Sequence, residues 1–157
     1  MSEVSDVRLV TALAAVLSVT HFRRRTVACE ISMPYLNATI EDVGGYYRLG
    51  VTRMLVRRFN NVELRAVIGH EIAHVVLGDR VVGFKMRHRR TAHDEENADA
   101  MAARWFGKAA MRAVLKKVRT DAQKLPQPLL KRQAVFELDA RINALQRFQA
   151  ARHSIDF

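Results

Sequence analysis

Disulfide chemistry is almost absent from this chain, because its 157 residues include a single cysteine, Cys29. One thiol cannot close an internal disulfide, so we expect a reducing compartment, the cytoplasm. The sequence also has no internal repeat and no low-complexity segment. Because 49% of its residues are hydrophobic and 27% are charged, the composition is that of a globular protein rather than a disordered one. We predict one domain over residues 1–157.

Long apolar runs are lacking as well. The most apolar stretch near the start, residues 9–19, is interrupted by Thr11 and Ser18 and is too short to cross a bilayer. Acidic residues precede this stretch and basic residues follow it, which is the wrong order for a secretory signal. We therefore predict no membrane span, and a packed helix over residues 4–22.

Acidic residues are too few to balance the basic ones. The chain has 26 Lys and Arg against 16 Asp and Glu, a formal charge of +10. From position 79 onward lie 17 of the basic and 9 of the acidic residues, so the excess is mostly C-terminal. Such a surplus favours an acidic partner, which could be nucleic acid, an anionic membrane surface or an acidic protein. A basic surface that only aids solubility explains the charge equally well.

The apolar periodicities predict a mostly helical α+β chain. In chain order the predicted elements after the first helix are a strand at 27–33, a turn at Gly44 and Gly45, a strand at 46–52, a short helix at 53–59, a helix at 61–77, a loop or mobile lid at 80–90, a helix from 91 or 92 to 118, and a last helix at 129–151. We assign residues 27–118 to a catalytic core. The last helix presents Leu130, Leu138, Leu145 and Phe148 on or near one face.

The helix at 61–77 has the strongest local signals. Asn60 can cap its start, and Glu63 three residues later completes a capping box. An apolar face follows, and Gly78 can end the helix. The element that carries the motif described next is therefore well defined.

The motif H-E-x-x-H occupies residues 70–74. Residues four apart lie one above the other on a helix face, so the imidazoles of His70 and His74 can reach one metal ion. Glu71 can reach a metal-bound water rather than the metal. Zinc lowers the pKa of such a water to about 7, so a carboxylate can remove its proton at neutral pH. The spacing predicts one Zn²⁺ ion, with Glu71 as general base.

A catalytic zinc site needs a third protein ligand. The candidate is Glu95, at the start of the next predicted helix, because Asp99 follows four residues later on the same face. Asp99 could then accept a hydrogen bond from the outer nitrogen of a ligating histidine. Glu96 is the alternative ligand.

Further polar residues remain open in their roles. His88 and His93 flank the basic loop and could serve as ligands or assist the reaction. Tyr46, Tyr47 and Arg141 are candidates for stabilising a tetrahedral intermediate, and nothing in the sequence selects one of them.

Residues 70–79, HEIAHVVLGD, together with residues 95–99, EENAD, resemble the gluzincin metallopeptidases, and within them the HtpX and CaaX-prenyl-protease family. The resemblance implies two histidines and a glutamate on zinc, the motif glutamate as base, and a protein or peptide substrate. It also implies that Glu95, four residues before the Asp of Ala98-Asp99, is the third ligand. It covers roughly residues 27–106, with a weaker match at Arg141, Ile142 and Leu145. By the same resemblance, the strand at 46–52 would lie near the cleft and pair with an extended substrate.

Three features depart from that family's pattern. Its transmembrane helices are missing, the stretch between His74 and Glu95 is short, and a late His-Pro pair has no counterpart, since Leu125 precedes Pro126. The residue that would stabilise the oxyanion therefore stays open.

We predict a zincin-like α+β fold with a small sheet beside the active-site helix, and the function of a zinc metalloendopeptidase. Two alternatives remain: a regulatory or nucleic-acid-associated zinc peptidase, and a non-catalytic zinc-binding protein.

Overall fold

The computed structural model describes the backbone of residues 2–79 and 90–155, and the side chains of residues 7–79 and 90–147. The predicted loop or lid at 80–90 lies outside the described residues except for Arg90. The elements in chain order are α1 (Ser2–Thr20), β1 (Thr26–Ile31), β2 (Ala38–Asp42), β3 (Tyr47–Thr52), α2 (Arg53–Arg58), α3 (Asn61–Val76), α4 (Ala92–Phe106), α5 (Lys108–Ala122) and α6 (Pro128–Ile155). The chain is thus α+β and mostly helical, as predicted. No helix within the described ranges has the length and apolar character needed to span a membrane.

The three strands form one sheet in the order β1-β3-β2, with β1 parallel and β2 antiparallel to β3. The prediction that the strand at 46–52 pairs with a substrate is wrong, because β3 is the central strand and is paired on both sides. Strand β2 was not predicted, since it is short and ends in two acidic residues that rarely favour strands. Its Glu41 pairs with Arg48 across the ladder, which offsets that tendency.

The predicted helix from 91 or 92 to 118 is two helices, α4 and α5, so that prediction is wrong. The break is at Gly107, which has a φ of 98°. Glycine adopts this positive φ readily, whereas other residues are strained there. Its N–H still donates to the carbonyl of Ala103, which closes α4 before the chain turns. The turn lets α5 pack against α3, α4 and α6.

One hydrophobic cluster draws on α1, the sheet and all the later helices. The buried faces include Leu9 and Val16 of α1 and Leu138 and Leu145 of α6. Leu130, which we expected on the same face of α6, is 53% exposed, and the side chain of Phe148 lies outside the described residues. Cys29 is half-buried in β1.

Helix α3 is held at its start by the predicted capping box. The Asn60 side chain accepts a hydrogen bond from the Glu63 N–H at 2.8 Å, and the Glu63 carboxylate accepts one from the Asn60 N–H at 2.9 Å. The same carboxylate is buried and accepts from Lys117 of α5 at 2.7 Å. From α1, Arg8 donates to the Phe59 carbonyl just before the cap. Local and tertiary bonds therefore fix where α3 begins.

Candidate metal centre

The C-terminus of α3 places an acidic side chain beside the second motif histidine. The Asp79 N–H donates to the His74 carbonyl and the Gly78 N–H to the Val75 carbonyl, the two bonds of a Schellman motif. Gly78 has a φ of 76°, which this turn requires and glycine tolerates. The reversal brings Asp79 Oδ2 to 2.8 Å from His74 Nδ1.

The opposite wall of the centre is α4, which begins at its own capping box between Thr91 and Asp94. Close approach of the two helices depends on Gly69 of α3. A Cβ atom at that position would lie 2.6 Å from Cε2 of Phe106 on α4, closer than real contacts allow. With no side chain at Gly69, α4 can bring Glu95 and Asp99 against the histidines.

The three expected ligands meet at one point. Nε2 of His70 lies 3.1 Å from Nε2 of His74 and 3.1 Å from Oε2 of Glu95, and His74 Nε2 lies 3.6 Å from Glu95 Oε1. Donor atoms in a four-coordinate zinc site, with bonds of about 2.0–2.1 Å, are about 3.3 Å apart. Two imidazole nitrogens and a carboxylate oxygen are also a donor set found in catalytic zinc sites. The cluster therefore fits a zinc ion in both chemistry and spacing.

Acidic partners lie on the outer nitrogens of both histidines. His70 Nδ1 is 2.9 Å from Asp99 Oδ1, a close ionic contact although the ring is not aligned for a linear hydrogen bond. Asp99 is buried and accepts two hydrogen bonds of 2.8 Å from Arg141 of α6. Such partners orient metal-binding imidazoles and keep Nε2 directed at the metal.

In the metal-free protein, the carboxylates of Glu95 and Asp99 and the imidazole of His70 stabilise one another's charged forms. Burial by itself would lower the pKa of His70, but its contacts with Asp99 and Glu95 outweigh burial and raise the pKa to about 9. Burial would raise the pKa of Glu95, yet the two histidines hold it far below its usual range. The pKa of Asp99 is lowered in the same way, against burial, by Arg141 and His70.

Glu71 points into the same site without joining the cluster of donors. The residue is buried, and its Oε2 atom has no hydrogen-bond partner within the described part of the chain. Among the described residues the nearest cation is Arg90, whose Nη1 lies 3.5 Å from that oxygen and 4.0 Å from Oε1 of Glu95. A buried carboxylate oxygen without a partner is costly, so this atom is available for a bound water or substrate.

His70, Glu71, Arg90 and Glu95 line a cavity of about 630 Å³, a volume within the usual range of ligand sites. Its lining includes the start of β2 with the preceding loop, and apolar residues of α5 and α6. The residues that line it away from the charged cluster include Leu36, Asn37, Ala38, Val114, Val118 and Phe136.

Comparison with protein-family models matches residues 7–93, more than half of the chain, to Peptidase family M48. The match contains the whole H-E-x-x-H helix. The chain belongs to peptidase family M48. It is thus a member of a peptidase family, and the gluzincin resemblance of residues 70–79 is confirmed. A search of curated proteins and a search of solved structures found no match.

The M48 match ends at residue 93, before the third expected ligand. The assignment of Glu95 therefore depends on its position in this structure rather than on the family. Among the residues with described side chains, only His70, His74 and Glu95 form a group of donors close enough for one ion, their ligand atoms lying within 4.8 Å of one another. Glu96 lines the cavity but does not belong to this group.

Other residues considered from the sequence lie elsewhere. Tyr46 and Tyr47 line a separate depression with Arg24 and Arg25, so they do not reach the H-E-x-x-H motif. His93 is exposed at the start of α4 and does not belong to the donor group, and His88 lies outside the described residues.

Three residues at this M48 site were missed by the sequence analysis: Gly69, Asp79 and Arg90. Asp79 had a signal, because a Gly-Asp pair directly after the helix predicts a turn that returns toward the last residues of α3. Gly69 and Arg90 had none, since Gly69 meets Phe106 of α4 and Arg90 meets Glu71 of α3, and both contacts join residues far apart in the chain.

Proposed function

We propose that residues 1–157 form one zinc metallopeptidase domain, in which His70, His74 and Glu95 hold a single zinc ion and Glu71 is the general base. The observation that carries this proposal is the meeting of three zinc-type donors beside Oε2 of Glu71, an atom with no hydrogen-bond partner among the described residues, in the lining of a cavity. Membership of family M48 supports peptide-bond hydrolysis as the reaction.

A zinc ion in this site would supply an activated water and polarise the carbonyl of the scissile peptide bond. Glu71 takes a proton from the attacking water as its oxygen bonds to the carbonyl carbon. The same carboxylate then delivers that proton to the nitrogen of the leaving amine as the C–N bond breaks. One water is consumed, and a carboxylic acid and an amine are formed. Asp79 and Asp99 hold the two imidazoles in orientation through their outer nitrogens.

The substrate would be an extended peptide lying along β2. This strand is paired with β3 on one side, and the described residues leave its other side without a strand partner. Its start, at Ala38, lines the cavity together with His70 and Glu71. An extended peptide can add its backbone to such an edge, while its side chains enter the cavity. The apolar wall made by Val114, Val118 and Phe136 favours an apolar substrate side chain.

The test compares Glu71→Gln with Glu96→Gln, which removes a neighbouring carboxylate of the same cavity. Zinc per chain is measured by elemental analysis, and hydrolysis with a pool of quenched fluorescent peptides. We expect one zinc in the wild type and both variants, with kcat lowered at least about 1000-fold by Glu71→Gln and less than about threefold by Glu96→Gln.

A wild type that binds zinc but hydrolyses no peptide would contradict the proposal and favour a non-catalytic zinc-binding protein. A wild type that takes up no zinc would contradict both the metallopeptidase proposal and the non-catalytic zinc-binding alternative. The nucleic-acid-associated alternative stays a prediction from net charge alone, and it would be supported by salt-dependent retention on DNA.

A further inference from the structure

Hydrolysis of a peptide bond places negative charge on the carbonyl oxygen, and a donor aimed at that oxygen accelerates the reaction. Two of the three candidates from the sequence do not reach the site. The hydroxyl of Tyr47 accepts a hydrogen bond of 2.7 Å from Arg24, and Arg25 stacks over the ring of Tyr46 at 5.7 Å. Both tyrosines therefore contact arginines at the start of β3, away from the histidines of α3.

The third candidate, Arg141, lies at the centre but is engaged. Its Nε and Nη2 atoms each donate to Asp99 at 2.8 Å in a two-point contact. Its remaining close approach is 3.6 Å to Oε2 of Glu95. Rotation toward a substrate would break two charge-assisted hydrogen bonds and leave Asp99 buried without its partner. Arg141 is thus a positioning residue for Asp99 rather than a donor to substrate.

Arg90 has the opposite character. Its guanidinium lies in the cavity and is 22% exposed, with Nη1 at 3.5 Å from the base Glu71 and 4.0 Å from the ligand Glu95. At these distances, neither contact is a hydrogen bond. Within the described residues no acceptor holds its side-chain donors. Arg90 is therefore a cation beside the general base and one metal ligand, with donors that no described residue engages.

We propose that Arg90 is a catalytic residue that donates hydrogen bonds to the carbonyl oxygen of the scissile peptide as negative charge develops there. The inference rests on the proposed function, because it concerns the same reaction at the same site. Its basis is position: a substrate carbonyl between the zinc ligands and Glu71 lies within reach of a cation already 3.5–4.0 Å from both.

The chemistry requires no change in the charge of Arg90. As the water oxygen bonds to the carbonyl carbon, the π electrons of the C=O bond move to the carbonyl oxygen, and Arg90 stabilises them with N–H donors that it keeps. When the C–N bond breaks, these electrons return to form the C=O bond of the new carboxyl group. The only proton that moves is the one that Glu71 carries from water to the amine.

A different role for the same contact is that of a latch, in which Arg90 neutralises Glu71 and restrains the base. The two roles predict changes of opposite sign. Removal of a catalytic donor lowers kcat, whereas removal of a latch raises it. The experiment below separates them.

The variants are Arg90→Ala, Arg90→Lys and the control Arg57→Ala, which removes the same charge from an exposed position of α2. Zinc per chain and thermal unfolding are measured first, and we expect all variants to match the wild type in zinc content. With a quenched fluorescent peptide selected on the wild type, Arg90→Ala should lower kcat about 100- to 1000-fold and change KM less than about threefold. Arg90→Lys should recover part of this loss.

The second measurement does not depend on turnover. A phosphinic analogue of the same peptide carries tetrahedral oxygens at the reacting position, and its dissociation constant is measured by calorimetry. Arg90→Ala should weaken its binding by a factor similar to the loss in kcat, because such analogues are held by transition-state interactions. In the Glu71→Gln background, binding of the unmodified peptide should change less than about threefold on adding Arg90→Ala.

Unchanged kcat and unchanged analogue binding in Arg90→Ala would overturn the inference while the proposed function stands. A raised kcat would overturn it in favour of the latch. Loss of zinc from Arg90→Ala would also overturn it, since the residue would then act through the metal ligands. A wild type that neither hydrolyses peptides nor binds the phosphinic analogue would instead overturn the proposed function.

Discussion

The α3 side of the candidate metal centre and the α4 side are assembled over different distances in the chain. On α3, His70, His74 and Asp79 lie within one helix and the turn that ends it, and bonds between close neighbours place them. On α4, Glu95 contacts a histidine 25 residues earlier, and Asp99 is held by an arginine 42 residues later. The difference teaches that the α3 half of the site is in place once that helix has formed. The α4 half is in place only when α4 and α6 have packed against α3.

Removal of one ligand from each side gives the largest expected effect. His74→Ala and Glu95→Gln should each retain less than about a tenth of the wild-type zinc, because a catalytic zinc site needs three protein ligands. Elemental analysis and a chelator competition measure this. His93→Ala, an exposed histidine of α4, is the control and should keep full zinc. Normal zinc in Glu95→Gln would mean that α4 supplies no ligand.

The acidic partners of the two histidines should differ in their effect on folding. Asp99→Asn leaves the guanidinium of Arg141 without its carboxylate, so we expect the free energy of unfolding of the metal-free protein to fall by about 2 kcal/mol. Asp79→Asn should cost less than about 1 kcal/mol, because Asp79 lies in a turn at the end of α3. Both should weaken zinc binding about 10- to 100-fold. Urea unfolding measures both free energies. Equal losses in Asp99→Asn and Asp79→Asn would contradict the expected difference between the α4 side and the α3 side.

The contact between the two sides can be tested at Gly69. In Gly69→Ala the new Cβ meets the ring of Phe106, so this ring and the α4 helix that carries it must give way, and we expect a loss of about 1–3 kcal/mol in the free energy of unfolding together with weaker zinc binding. Gly45→Ala is the matched control, since a Cβ there meets no atom within 4 Å. If Gly69→Ala bound zinc as tightly as the wild type, close packing of α4 would not be what places Glu95.

The smallest effect is expected at the turn after α3. Gly78→Ala puts a side chain at a φ of 76° and should cost about 1 kcal/mol, with less than a tenfold loss in zinc affinity through Asp79. Gly44→Ala is strained in the same way at a φ of 106° and lies in the turn before β3, away from the site. We expect similar unfolding costs for the two variants, but a change in zinc affinity only for Gly78→Ala. A zinc effect in both would trace it to general destabilisation.

Sequence reasoning succeeded where the physical cause is local. The capping box of Asn60 and Glu63 is made as expected, because a side chain and a backbone N–H three residues away meet in any helix start. It failed at Gly107, since an isolated glycine is tolerated inside a helical pattern and only its positive φ ends α4. It also failed at β2, whose pairing with β3 is a contact between two strands and leaves little trace in either one alone.

The sequence by itself determined the helix α3, the pair of histidines four residues apart, the glutamate between them and the resemblance to the gluzincins. These follow from helix geometry, in which the neighbours of each residue are known once the helix is known. Only the tertiary structure decided that Glu95 rather than Glu96 meets the histidines, that β2 rather than β3 is the strand beside the cavity, and that Arg90 rather than Arg141 has donors to offer. Each of these depends on how α4, the sheet and α6 pack, and packing is a property of many residues distant in the chain.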